Sequence, residues 1–202
     1  MKMLKTAIAF VAFLLCASAA FAQPAPQMLS LRVPDETWKA EVKSFDGAPS
    51  FRLEEVKGKV ILLAVWAYWC GPARNGLEEL RKLREEFAGQ NLEVIGISLY
   101  YSFEDDEQGA KAFVQQSNFN FKMGWINNEI GGLLMSETGA VPNFMLISSD
   151  GVLVERILGF NPAKTPALLR KAIEPLLKKE RAATTNLDQQ EGQKRKNRER
   201  KI

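Results

Sequence analysis

The chain has 202 residues, of which 27 are Lys or Arg and 24 are Asp or Glu, for a formal charge of +3. Apolar residues make up 46% and charged residues 25%, the balance of one folded core with tails rather than of a fibrous or disordered chain. There is no His, which excludes His-based triads and most zinc sites. Only Cys16 and Cys70 occur, so neither a disulfide framework nor a Cys-rich metal centre can be built.

Residues 1–22 have the form of a cleaved leader. Lys2 and Lys5 precede the apolar run Ala7–Leu15, which is short for a bilayer span, and Ala20-Phe21-Ala22 supplies an A-x-A cleavage site. Leu15 stands where a lipidation signal would carry a small residue before Cys16, so a lipoprotein or membrane-anchored form is not expected. The expectation is export to a periplasm. Cleavage also removes Cys16, leaving Cys70 as a single thiol that has no partner within its own chain in an oxidising compartment.

After a linker over residues 23–39, the pattern predicts one domain over 40–179. Lys59–Ala67 is a continuous apolar run, as in a strand buried on both faces. Gly71–Ala88 follows with Leu77, Leu80, Leu83 and Phe87 at helical spacing. Leu92–Leu99 reads as a second buried strand, and Glu104–Asn118 as a helix with Ala110, Phe113 and Val114 inward. Its acidic start, Glu104-Asp105-Asp106-Glu107, complements a helix dipole and lacks the spaced ligands of a calcium loop.

Phe119, Phe121, Met123 and Trp125 form an aromatic-rich strip suited to the core, or to an apolar partner if exposed near Cys70. Asn128–Glu137 reads as a further helical segment. Asn143–Ile147 and Val152–Leu158 are strands joined through Asp150-Gly151, a hairpin signal. Ala163–Lys179 closes the domain as a helix with Leu168, Leu169, Ile173, Leu176 and Leu177 on one face and Pro175 as a kink or end point. A β-α-β-α order followed by a hairpin and a helix predicts an α/β domain, a mixed sheet flanked by helices.

Residues 180–202 form an apolar-poor tail, expected to be disordered. Lys178–Ile202 holds nine basic and four acidic residues, whereas Gln23–Leu177 holds sixteen basic and twenty acidic, so an acidic domain carries a basic tail. Such a tail keeps a chain soluble or contacts an anionic surface. Nucleic acid is not an expected partner of an exported chain.

The chemistry lies in Val65-Trp66-Ala67-Tyr68-Trp69-Cys70-Gly71-Pro72-Ala73-Arg74, where the first long strand meets its helix. This run resembles the active site of the thioredoxin superfamily, W-A-x-W-C-x-P-C-R. The flanks, with Gly58-Lys59, the insert helix, Val141-Pro142 and the Asp150-Gly151 hairpin in order, are similar to its periplasmic TlpA/ResA-type branch. The resemblance covers roughly Val42 to Leu177. It implies a thioredoxin-like fold with a TlpA/ResA-type helical insert and a nucleophilic Cys70 at a helix N-terminus. Unpaired N–H groups and the helix dipole favour an anionic sulfur at such a position.

Trp69 would flank the sulfur, Gly71 and Pro72 would shape the loop, and Arg74 would favour the thiolate or bind a partner carboxylate. Val141-Pro142 would be the cis-proline loop that presents an extended substrate. Glu78 and Glu79 would share an exposed face with Arg81 and Lys82.

Three departures define this sequence against that pattern. Ala73 replaces the second Cys, and Ala64 and Gly76 occupy positions where relatives carry a buried acid. A mixed disulfide formed at Cys70 would therefore have no internal resolving thiol. The expectation is a monothiol exchange protein acting on protein thiols or disulfides or on a small thiol, without dithiol reductase activity. The alternative is a redox-silent binding module that uses the same groove. No metal or organic cofactor is implied. A peroxidase pattern, P-x-x-x-[TS]-x-x-C, is missing from Leu63–Cys70.

Overall fold

The computed structural model describes residues 31–45, 47–99, 104–126, 134 and 139–200. Among these residues eight strands and four helices follow in chain order: β1 (Leu31–Arg32), α1 (Asp35–Lys39), β2 (Glu41–Ser44), β3 (Phe51–Arg52), a 3-10 turn (Leu53–Val56), β4 (Val60–Trp66), α2 (Gly71–Glu86), β5 (Leu92–Leu99), α3 (Glu104–Ser117), β6 (Lys122–Ile126), β7 (Asn143–Ile147), β8 (Val152–Leu158) and α4 (Thr165–Glu199). The strands form one mixed sheet in the order β1-β8-β7-β4-β5-β6-β2-β3. β4, β5 and β6 are parallel, while β7 runs antiparallel to β4 and β8 antiparallel to β7. This is the expected thioredoxin-like α/β fold.

Every residue of β4 is buried, and the strand period of two divides its side chains between two cores. Val60, Leu62, Ala64 and Trp66 join Leu77, Leu80 and Leu83 of α2 and Leu169, Ile173 and Leu177 of α4. Ile61, Leu63 and Val65 face the opposite core, with Trp38, Val42, Val56, Met145 and Ile147. Because both faces are covered, the strand carries apolar residues without alternation.

Several boundaries differ from the sequence expectation. The sequence predicts a linker over residues 23–39, yet β1 pairs with β8 and α1 buries Thr37 and Trp38, so the folded region already includes Leu31. β6 is a strand where the sequence suggested only a strip, with Met123 buried and Trp125 half-buried. The sequence predicts Leu168 on the inner face of the last helix, yet it is 48% exposed, because the buried positions run Leu169, Ile173, Leu177. Pro175 lies inside α4 without ending it.

The tail expected to be disordered from residue 180 instead continues α4 to Glu199. Ala, Gln, Glu, Lys and Arg dominate that stretch, and these residues lose little side-chain freedom in a helix. The segment expected to be a leader (1–22) and most of the segment Asn128–Glu137 lie outside the described residues.

Candidate active site

Cys70 is the N-cap of α2, with φ −87° and ψ 105°, and its side chain makes no capping bond. The chain leaves β4 at Trp66 and tightens through Cys70 N–H to Ala67 C=O (3.1 Å). It enters the helix with Arg74 N–H donating to Cys70 C=O (3.1 Å). Pro72 sits in the first turn, where its missing N–H leaves no helix bond unmade. The thiol is half-buried and unpaired.

Across from it, the Val141–Pro142 peptide bond is cis, and the Cys70 thiol donates to the Val141 carbonyl oxygen at 3.6 Å. Two segments 71 residues apart in sequence thus meet at the sulfur. Trp69, next to Cys70 in the chain, is 57% exposed and offers an open apolar face. Arg74 and Asn75 are exposed and line an open cleft of about 390 Å³ together with Gly71, Glu78 and Phe113.

Beneath the first turns of α2 the site is apolar. Ala73 and Ala64 are buried, and Phe144 of β7 and Phe160 pack where α2 passes over the sheet. A Cβ on Gly76 would lie 2.6 Å from Phe144 Cζ, closer than real contacts allow. The space beside Gly76 is thus filled by the Phe144 ring, and no acid fits there without displacing it.

One contact near the site is absent from the sequence expectations. Gly109 of α3 lies against the Tyr68 ring so closely that a Cβ there would overlap it. A glycine inside a helix pattern is costly, which is the signal that could have drawn notice. The Trp66 and Phe113 rings meet at a tilt with centroids 5.6 Å apart, and the chain of ring contacts continues to Phe119 and Phe121, so the aromatic strip expected of the core braces the site from the α3 side.

Asn143 follows Pro142, is fully buried, and donates from Nδ2 to Leu134 C=O at 3.0 Å. Among the described residues its Oδ1 and Trp66 Nε1 have no partner. Such buried groups give no advance signal in sequence.

Glu79 was expected on an exposed face but is 7% exposed. It accepts from Arg170 Nη2 of α4 at 3.1 Å, with Lys82 at 3.4 Å. Arg170 also pairs with Glu86 at 2.7 Å. Glu78 pairs with Arg81 at 3.0 Å, as expected of a helix surface. Among the described residues no cluster of three or more Cys, Asp or Glu is placed to hold a metal.

A thioredoxin-like fold with a single cysteine facing a cis-proline loop is the class that this geometry defines. Residues 33–156 match the AhpC/TSA family, and the chain belongs to that family. It is 27% identical over 107 residues to a Bacillus cereus thiol-disulfide oxidoreductase ResA, matching 53% of this chain and 59% of the relative. It is 26% identical over 145 residues to the Escherichia coli K12 thiol:disulfide interchange protein DsbE, matching 70% of this chain and 71% of that one. The match to ResA thus spans under two thirds of that relative's length. The structure of a putative DsbE from Chlorobium tepidum superposes with a TM-score of 0.62 at 21% identity, over 73% of this chain and 96% of that one, a likeness of fold.

Proposed function

We propose that this is an exported thiol–disulfide exchange protein of monothiol type, with Cys70 as its nucleophile. The observation that carries the reading is the position of the Cys70 sulfur, at the uncapped N-terminus of α2 and 3.6 Å from Val141 of the cis-proline loop. The names of ResA and DsbE support exchange chemistry, and the leader pattern supports export.

The reaction is a displacement at sulfur. The Cys70 thiolate attacks one sulfur of a disulfide, a new S–S bond forms at Cys70, and the other sulfur leaves as a thiolate that takes up a proton. Ala73 offers no second sulfur, so the mixed disulfide persists until an external thiol attacks it. Val141 and Pro142 would align an extended substrate beside the sulfur. Trp69, Gly71 and Pro72 would border the approach, and Arg74 would meet an acidic partner group. The partners are protein thiols or disulfides, or a small thiol.

Incubating the folded protein, in a Cys16→Ser background, with oxidised glutathione tests this directly by intact mass. The expected result is one glutathione adduct on Cys70, absent in Cys70→Ser and released by an added thiol. A Cys70 that reacts only after unfolding would overturn exchange and leave a binding module in the same groove.

A further inference from the structure

The last helix leaves the domain at the pole opposite Cys70. β4 runs from Val60 toward Cys70, so its Val60 end marks the far pole. Val60 N–H bonds to Asn91 C=O there, and the Ser148–Gly151 turn closes β7 at the same end, where Ile147 pairs with Ile61. Glu180 of α4 is held at this pole by Ser149 Oγ and by Asn91 Nδ2. α4 begins at Thr165, near the cis-proline end, where Gly159 N–H bonds to Pro142 C=O. It therefore passes along the sheet from the thiol pole and emerges at the other.

Beyond Glu180 the helix continues for 19 residues to Glu199, about 28 Å at a rise of ~1.5 Å per residue. Arg181, Lys194, Arg195, Lys196, Arg198 and Arg200 on this extension are exposed.

The charge on the extension is concentrated at its end. Residues 182–193 contain no basic residue and two acidic ones, Asp188 and Glu191. Residues 194–201 contain six basic residues and one acidic residue. Consecutive residues on a helix point about 100° apart, so Lys194-Arg195-Lys196 surround the axis instead of forming a stripe. No helix among the described residues is apolar enough to cross a membrane.

We infer that this helical extension is an electrostatic foot that attaches the protein end-on to an anionic phospholipid surface, with the Cys70 pole facing away from it. A cluster spread around a helix tip fits a diffuse sheet of negative charge better than a shaped acidic groove. The acidic domain, sixteen basic against twenty acidic residues over 23–177, is repelled by the same surface. The uncharged-to-acidic shaft gives the helix no reason to lie flat. Attraction at the tip and repulsion at the domain together orient the molecule. Attachment does not depend on Cys70 chemistry, so it stands or falls separately from disulfide exchange.

The experiment is co-sedimentation of the full chain, in a Cys16→Ser background, with phosphatidylcholine vesicles lacking or containing phosphatidylglycerol. Binding is expected only to the phosphatidylglycerol vesicles and is lost when salt shortens the screening length from about 20 Å to below ~6 Å. Replacing Lys194, Arg195, Lys196 and Arg198 together by Gln should weaken binding at least about tenfold, while far-UV circular dichroism confirms that the fold is kept. A soluble maleimide should label Cys70 equally fast on and off the vesicles.

Equal binding to neutral vesicles, or unchanged binding by the fourfold variant, would overturn the proposal. So would strong shielding of Cys70 on the vesicles. Tighter binding to a short DNA duplex than to the vesicles would reassign the cluster to nucleic acid.

Discussion

Phe144 occupies the space that any side chain on Gly76 would need, with its Cζ 2.6 Å from where a Cβ would stand. The ring is 1% exposed and meets Phe160 at a tilt, so it has little room to move. Gly76→Ala gains about 1 kcal/mol of helix propensity but loses about 1–3 kcal/mol to overpacking, a net destabilisation. Gly76→Glu adds a carboxylate without a partner in an apolar setting and loses more. Urea unfolding midpoints should fall in the order parent, Ala, Glu. An Ala variant more stable than the parent would show that Phe144 yields freely.

Gly109 sets how closely α3 approaches the loop that carries the thiol. Gly109→Ala pushes on the Tyr68 ring, two residues before Cys70, and should change the alkylation rate of Cys70 severalfold. Removing the ring first, with Tyr68→Ala, should abolish that effect, a coupling that a double-mutant cycle reads out. Additive effects of the two substitutions would disprove the link.

Arg170 joins α4 to α2 through Glu79 and Glu86. The Glu86 hydrogen bond, more than the Glu79 charge, raises its pKa above the ordinary arginine value, so the guanidinium stays charged throughout. Arg170→Ala leaves the buried Glu79 with only Lys82, and a loss of about 1–3 kcal/mol is expected in urea unfolding. Arg81→Ala removes only exposed pairs and should cost under about 1 kcal/mol. Equal losses would mean that burial of Glu79 carries no weight.

Asp150 in the β7–β8 turn accepts from the Ser148 hydroxyl, and this bond holds its carboxyl below the ordinary value of 3.8. A carboxyl lowered on folding stabilises the native state above its unfolded pKa, and that contribution disappears as pH falls through the folded value. Asp150→Asn should therefore be less stable than the parent at neutral pH, with the gap closing as the pH drops below about 4. A gap that persists unchanged in acid would assign the loss to packing, not to charge.

The local periods of the sequence were enough for the strands Leu92–Leu99, Asn143–Ile147 and Val152–Leu158 and for the helix that starts at Gly71. Each of these buries a continuous run or one regular face, and such burial leaves its mark on neighbouring residues. That Ala73 offers no second sulfur was equally legible, since the identity of a residue needs no coordinates.

What the sequence did not reveal depends on residues far apart in the chain. Phe144 fills the place beside Gly76, Tyr68 lies on Gly109, and Glu79 is buried because Arg170 covers it from α4. Short segments such as β1 and α1 carry too few residues to display a period, and they form because β8 and the second core are present to receive them. The cysteine and its missing partner were set by sequence. The ring packed beneath it and the pole from which the basic helix leaves were decided only when strands distant in the chain came to lie side by side.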